Sequence, residues 1–411
     1  MEVVTHTFSD KSLFEKQLLS YYKDSKNIVF LNSNESSKEN LFAVSKNDEI
    51  KDNDWKFGFI SYDYKNKIEQ LSSSNIDGVG FPKMHFFTPE ILFKIKQTQV
   101  EIFYRPSIYS LERVNDIIVE IKTFSLSIID FKEIKVEPRV SKEDYLKNVN
   151  NLKQHIQLGD IYEVNYCQEY FAEGVIINPI DVYIKLNQKS PTPFSCYVKC
   201  GKKYLMSASP ERFIHKKGDE IISQPIKGTI KRGATLKEDE KLKNQLFNDP
   251  KERSENIMIV DLVRNDLSKI AKCNTVKVDE LCGIYTFPQV HQMISTVSAE
   301  IDRSVDFENI IKATFPMGSM TGAPKIRAME LIEEYEQTKR GLYSGTVGYI
   351  NCEGDFDFNV VIRSILYNQE NNYLSFTVGG AITIDSVPEK EYEECLLKAK
   401  AMLEVLSNDV K

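Results

Sequence analysis

The 411-residue sequence predicts an α/β protein of the α+β kind, and three observations carry that prediction. Apolar residues make up 41% of the chain and charged residues 27%, and 23 Phe with 20 Tyr supply the bulk for a sizeable core. Short β-branched and aromatic runs dominate the first third, several with the two-residue alternation of half-buried strands. From Ser141 onward, such runs are interleaved with helical stripes that carry recognisable start signals. This length suits two or three average domains or one large unit.

In chain order, Asn27–Leu31 is the first clear strand candidate, followed by the polar loop 32–37. Trp55–Tyr64 alternates as a strand. Ile91–Ile95 and Val100–Tyr104 form a hairpin candidate joined through 96–99. The polar stretch 132–141 is the boundary between an N-terminal region, 1–135, and a second region, 141–406. It is short and not Gly/Ser-rich, so the two regions are expected to pack together. Ser141-x-x-Asp144 begins a helix with Tyr145, Val149, Leu152 and Ile156 on one face, ending at Gly159. Strands at 161–168, 195–199 and 203–209 follow, with a short helix at 181–187 between the first two.

Several classes of function are excluded. The net charge is −7 and no basic stripe appears, which argues against nucleic acid. No apolar run reaches the length of a membrane span, and the N-terminus has no signal-peptide pattern. Seven cysteines without CxxC pairs make neither a disulfide framework nor a zinc site. A cytoplasmic protein with reduced thiols is expected.

Chemistry concentrates in four stretches. After the strand 220–223 comes Gln224-Pro225-Ile226-Lys227-Gly228-Thr229, where a glycine lets a ligand approach a lysine closely. A lysine becomes a nucleophile when its surroundings favour the neutral amine; the alternative is a solvated hairpin end. The helix 249–267 places Glu255 at the edge of its apolar stripe, as a site group or a surface carboxylate. The loop 315–325 combines two glycines, hydroxyls and a helix start after Pro324, a pattern suited to anion capture. Near the C-terminus, Ser386-Val387-Pro388-Glu389 reads as a capping box after a glycine turn at 378–382. Glu391, Glu394 and Lys398 then form one row beside the apolar stripe of that helix. Two carboxylates one turn apart suit a hard cation such as Mg²⁺, and a plain surface row is the alternative.

Taken in order, these stretches resemble the chorismate-utilising family of anthranilate, aminodeoxychorismate, isochorismate and salicylate synthases. Gly159-Asp160-Ile161-Tyr162, Ser209-Pro210-Glu211-Arg212-Phe213, Pro225–Thr229, the 252–266 helix, Gly318–Lys325, Gly345–Tyr349, Gly379–Ile382 and Glu391–Lys398 all match. Phe57–Asp63 matches the family's N-terminal region more loosely. The resemblance implies a sandwich of two facing antiparallel sheets with helices outside, in one compact body of the anthranilate synthase component I type.

With lysine at position 227 the chain resembles the aminodeoxychorismate-forming branch, component I, and the anthranilate-forming branch is the alternative. The implied chemistry is covalent. Lys227 adds to the chorismate ring, Glu211 protonates the leaving hydroxyl, and ammonia displaces the lysine. A neutral Lys227 is expected from burial beside Mg²⁺ and other cations. The resemblance further implies Mg²⁺ on Glu255 and Glu394, with Glu391 assisting. It implies substrate contacts from Arg363, Tyr349, Lys398, Thr321, Thr229 and the N–H groups of Gly379 and Gly380. Gln292 stands where most members carry histidine, so a proton-shuttling role there is in doubt, and neighbouring His291 is structural or compensating. Glu163 stands where isochorismate and salicylate formers carry lysine, which argues against those products. Leu31-Asn32-Ser33 faintly matches a regulatory tryptophan pocket. None of the cysteines sits in the glycine-flanked elbow of an amidotransferase nucleophile, so a separate glutamine amidotransferase subunit is expected to supply ammonia. A lyase acting on the product is likewise expected to be another protein.

Overall fold

Alternation along the strands sorts side chains into two cores. In Asn27–Asn32, Ile28 and Phe30 enter one hydrophobic cluster and Val29 the other, as the two-residue period of an extended chain requires. The computed structural model describes residues 1–35, 39–126 and 133–407. Parts of the expected loop 32–37 and of the boundary 132–141 therefore lie outside the described residues.

The strands make two antiparallel sheets. The larger, of 12 strands, runs from Glu2–Thr7 at one edge through Gln99–Tyr104, Ile91–Ile95, Asn40–Ser45 and Asn27–Asn32 to Phe194–Cys200. It continues through Lys203–Ser209, Ser364–Asn368, Tyr373–Ile382 and Glu163–Ala172 to the short Gly322–Ala323. The second, of 9 strands, begins at Ile226–Lys231 and passes through Val290–Glu300, Glu220–Gln224, Arg212–Lys217, Phe356–Asn359, Thr346–Ile350 and Lys56–Ile60 to Met84–Phe87. Both regions of the chain enter both sheets. Asn27–Asn32 pairs with Phe194–Cys200, and Lys56–Ile60 pairs with Thr346–Ile350.

One core lies between the sheets, where Val29, Phe57, Leu205, Phe213 and Val347 meet Ile259 and Val263 of the helix Pro250–Ser268. The other lies under the helices on the outer face of the larger sheet. Phe14, Ile117, Tyr145, Tyr183, Leu331 and Met402, each from a different helix, contribute to it. Such burial is the main stabilising term, at about 25 cal/mol per Å² of apolar surface. Among the described residues no helix is long and apolar enough to cross a membrane.

Three local expectations change. The strand predicted over 55–64 ends at Ile60, and Tyr62–Tyr64 is a 3₁₀ turn whose Asp63 accepts from the Gly341 N–H at 2.9 Å. Ser386 does not cap the last helix. Its hydroxyl accepts from the Thr383 N–H, and Val387 holds the cap position of Pro388–Leu406. Gly379 and Gly380 lie inside the strand Tyr373–Ile382, not in a turn.

Candidate active site

Two connections carry the chain between the sheets at the same place. Glu211 lies between Lys203–Ser209 of the larger sheet and Arg212–Lys217 of the smaller. Arg363 lies between Phe356–Asn359 and Ser364–Asn368 on the return. The crossings are laced together, with Val360 N–H donating to the Glu211 carbonyl at 3.0 Å and Ala208 N–H to the Arg363 carbonyl at 3.1 Å. Arg363 holds φ at 50°, a left-handed conformation that costs a bulky residue energy and persists only where surroundings enforce it. Burial lowers its guanidinium pKa, against the opposing charge of Glu211. Glu211 is only 4% exposed and accepts a hydrogen bond from Ser319 Oγ at 2.8 Å. Burial lifts its carboxyl to about 7, despite the Ser319 hydrogen bond and the nearby Lys227 charge.

Lys227 sits on Ile226–Lys231, the edge strand of the smaller sheet. Its Nζ donates to Glu163 Oε1 at 3.0 Å, with the two side chains 11% and 1% exposed. This corrects one expectation. Burial alone would lower the amine's pKa, but Glu163 and Glu255, helped by Glu211, outweigh it and raise the pKa. The side chains that raise it are carboxylates, Glu163 at hydrogen-bond distance and Glu255 and Glu211 through space. The second oxygen of Glu163 is buried without a hydrogen-bond partner among the described residues. Gly228, at φ 90°, packs against Glu252 and Leu246, so its missing Cβ makes room for helices and not for a ligand.

The acidic groups come from two helices. Glu255, on Pro250–Ser268, is 7% exposed, and burial lifts its carboxyl to about 7 against the pull of Lys227. Glu391, Glu394 and Lys398 form the row expected on Pro388–Leu406. A Cβ built on Gly380 would stand 3.5 Å from Glu391 Oε2, 3.6 Å from Glu394 Oε1 and 3.7 Å from Lys398 Nζ, so these groups ring an open spot above that glycine. Lys398 donates to the Gly379 carbonyl at 2.8 Å and pairs with Glu394 at 2.7 Å. Lys251 bridges the two helices, 3.7 Å from Glu255 and 3.3 Å from Glu391.

Among the described residues no three His, Cys, Asp or Glu side chains converge as a ready metal cage. The donor set nevertheless suits a hard divalent cation. All donors are carboxylate oxygens, Glu255 Oε1 is buried without a hydrogen-bond partner, and a lysine ammonium bridges Glu255 and Glu391.

The remaining predicted residues divide. Pairing of Tyr373–Ile382 to Ser364–Asn368 ends at Phe376, so among the described residues no strand pairs with Gly379 and Gly380 on that side, while the other side pairs with Cys167 and Tyr166. Thr321 is fully buried, and its hydroxyl donates within its own loop to the carbonyls of Met317 and Gly318. Thr229 is exposed and stands opposite Gln292, beyond a register shift that begins at Ile226. Gln292 is 1% exposed with its Oε1 unpartnered. His291 is structural, its nitrogens 2.9 Å from Thr286 Oγ1 and 2.9 Å from Asp239, so it does not compensate for Gln292. Tyr349 is displaced from the group. It packs on Trp55 and Phe57 and lines a separate cavity of about 630 Å³ with Arg212, Asp357 and Leu31-Asn32-Ser33. The tyrosine beside Gly379 is instead Tyr343, buried with its hydroxyl 3.7 Å from Cys167 Sγ, the atom a Cβ on Gly379 would strike at 2.4 Å. Sequence reasoning also passed over Lys251, Ser319 and the pairing role of Glu163. Only the unusual acid at 163 offered a signal.

An α+β sandwich with a buried lysine, carboxyls raised to about 7 and, at its sheet crossings, an arginine with no ion-pair partner among the described residues defines an enzyme of anionic small molecules. The chain belongs to the chorismate binding enzyme family, whose model matches residues 10–404, and it acts on chorismate. It is 35% identical over 370 residues to "Anthranilate synthase component 1" of Acetivibrio thermocellus, covering 85% of this chain and 74% of that one. It is 33% identical over 360 residues to "Aminodeoxychorismate synthase component 1" of Bacillus subtilis, covering 85% and 76%. The crystal structure of anthranilate synthase component I from Streptococcus pneumoniae superposes with a TM-score of 0.77 at 25% identity, over 98% of this chain and 92% of that one.

Proposed function

We propose that this chain aminates chorismate at the ring carbon bearing its hydroxyl, as component I of an aminodeoxychorismate synthase. The observation that carries the reading is the buried Lys227 amine, set among Glu163, Glu211 and Glu255. Lys227 supplies the nucleophile. Glu211, its carboxyl raised to about 7, is protonated often enough at neutral pH to give the leaving hydroxyl a proton. Arg363, buried beside Glu211 and left-handed, presents a fork suited to a substrate carboxylate. Glu255, Glu391 and Glu394 would hold Mg²⁺, which when bound neutralises carboxylate charge next to the leaving group. Ammonia would come from a glutamine amidotransferase partner, a reading supported by relatives named as component 1.

The test is direct. The protein is incubated with chorismate, MgCl₂ and ammonium, a lyase that aromatises 4-amino-4-deoxychorismate is added, and the product is identified. The expected product is 4-aminobenzoate, and Lys227→Ala should reduce its formation at least ~1,000-fold. Anthranilate would assign the chain to the other branch, and a Lys227→Ala protein as active as wild type would remove the covalent role.

A further inference from the structure

We infer that Glu163 is the proton acceptor that turns Lys227 into a nucleophile and returns the proton when the lysine is released. The inference rests on the covalent reading above and supplies what that reading lacks. A lysine held as an ammonium among carboxylates cannot attack until its proton has somewhere to go.

Geometry selects Glu163 among the neighbouring acids. Its Oε1 lies 3.0 Å from Nζ, already at proton-transfer distance, and it is the one carboxylate ion-paired to Lys227 among the described residues. Glu255 and Glu252 on the helix Pro250–Ser268, Glu211 at the crossing, and Glu394 on the last helix act on Lys227 only through space. Glu211 is committed to Ser319, and Glu394 to Lys398. Glu163 Oε2 is buried with no hydrogen-bond partner among the described residues, so taking the proton on Oε1 disturbs no other hydrogen bond of the carboxyl.

Burial offsets part of the cost of transfer. Both side chains are buried, and a buried ammonium–carboxylate pair costs far more desolvation than the neutral amine and acid that replace it. The two groups belong to opposite sheets, Glu163 opening Glu163–Ala172 and Lys227 on Ile226–Lys231, so neither follows the other's local motion. Gly322–Ala323 pins the start of the Glu163 strand. A Cβ on Gly322 would lie 2.1 Å from the Glu163 carbonyl, which keeps this loop backbone against the acid's own backbone.

The protons balance. Glu163 takes one from the Lys227 ammonium, leaving an amine and a carboxylic acid. The amine lone pair forms the bond to the ring as the ring C–O bond breaks, and the hydroxyl departs as water with the proton of Glu211. Ammonia then forms the new C–N bond, and the old C–N pair returns to Nζ as a neutral amine. Glu163 gives its proton back to that amine, and the product ammonium reprotonates Glu211. The sum is chorismate plus ammonia going to aminated product plus water.

The test follows adduct formation on the full-length protein in a single turnover with chorismate and MgCl₂ but no ammonium, read by intact-protein mass spectrometry from pH 6.5 to 9.5. In wild type the reactive pair needs no net loss of a proton, so the rate should follow the Glu211 acid form alone and decline above about pH 7. Glu163→Gln keeps an oxygen for the ammonium but cannot take its proton. Its rate should fall at least ~100-fold at pH 7, and its ratio to the wild-type rate should rise about tenfold per pH unit as the lysine loses its proton to solvent. Glu163→Asp, which retains an acceptor, should restore the wild-type pH profile at a reduced rate, and it serves as the second variant if Glu163→Gln folds poorly. A Glu163→Gln rate within twofold of wild type at pH 7, or one lowered equally at every pH, overturns the assignment while leaving the covalent lysine intact. A wild-type protein that turns over without any adduct removes the covalent reading itself, and this role with it.

Discussion

Glu211 has the environment that a general acid at neutral pH requires, and the same environment makes its proton part of the stability of the fold. Its carboxyl rises from an ordinary 4.5 to about 7, chiefly by burial. Between those values the native state holds a proton that the unfolded chain has lost. Stability is therefore fully present below 4.5 and declines as pH rises through 7, by roughly 3 kcal/mol in all. Glu211→Gln removes this dependence. Its melting temperature relative to wild type should move upward between pH 5 and pH 8, while kcat falls about 100- to 10,000-fold. Wild-type activity should likewise decline on the alkaline side of about 7, where the acid form is lost. A variant whose relative melting temperature is the same at both pH values would place the burial cost elsewhere. Arg363 carries the opposite charge at the second crossing, and its left-handed backbone is the sort of local cost found where a side chain must be aimed.

At the scale of elements, Tyr373–Ile382 and Pro388–Leu406 together make the wall that carries Gly379, Gly380, Glu391, Glu394 and Lys398. The adjacent glycines have different duties. A Cβ at Gly379 would meet the Tyr166 carbonyl at 2.3 Å and Cys167 Sγ at 2.4 Å, whereas one at Gly380 meets only side-chain ends at 3.5 Å or more. Gly379→Ala should therefore destabilise the protein by about 1–3 kcal/mol in urea unfolding. Gly380→Ala should leave stability unchanged and raise KM for chorismate or the Mg²⁺ requirement, by filling the spot between the carboxylates and Lys398. Equal stability losses would mean both glycines serve packing alone. The sequence made these elements legible, because the apolar stripe through Cys395, Ala399, Met402 and Leu406 and the row of Glu391, Glu394 and Lys398 follow from helical periodicity. It misread Gly379-Gly380 as a turn, since paired glycines signal turns locally while strand pairing to Cys167 and Tyr166 is a long-range fact. The assignment of Tyr349 failed for a similar reason. Tyr343 and Tyr349 lie close in sequence, but only the sheet decides which one reaches Gly379 and which one faces the cavity beside Trp55. The Lys227–Glu163 pair joins residues far apart in the chain, and no periodicity could have announced it.

On the scale of the whole molecule, one buried ion pair ties the parts that the site needs. Arg340 donates to both oxygens of Glu336, at 2.6 and 2.9 Å, and the two residues are 5% and 6% exposed. Its remaining N–H groups reach the Met320 carbonyl at 2.6 Å and the Asn165 carbonyl at 2.7 Å, and its guanidinium lies over the Tyr62 ring at 4.6 Å. Glu336 in turn accepts from the Cys167 N–H at 2.9 Å. Through these contacts Arg340 fixes the loop whose Ser319 holds Glu211, the strand that begins with Glu163, and the 3₁₀ turn of the N-terminal region. Removing one partner of a buried, hydrogen-bonded pair leaves the other charge without compensation, so Arg340→Met should cost about 3–5 kcal/mol. Replacing both residues with apolar ones of similar volume removes the uncompensated charge, and Arg340→Met/Glu336→Leu should regain much of that stability. Activity should not return with it, because Met320 and Asn165 would still lack the donors that set the loop against the strand. Urea unfolding and turnover on the two variants separate these effects. Recovery of both stability and kcat in the double variant would show that packing alone positions Glu163 and Ser319, and an Arg340→Met cost below about 1 kcal/mol would show that the pair is not what joins the regions.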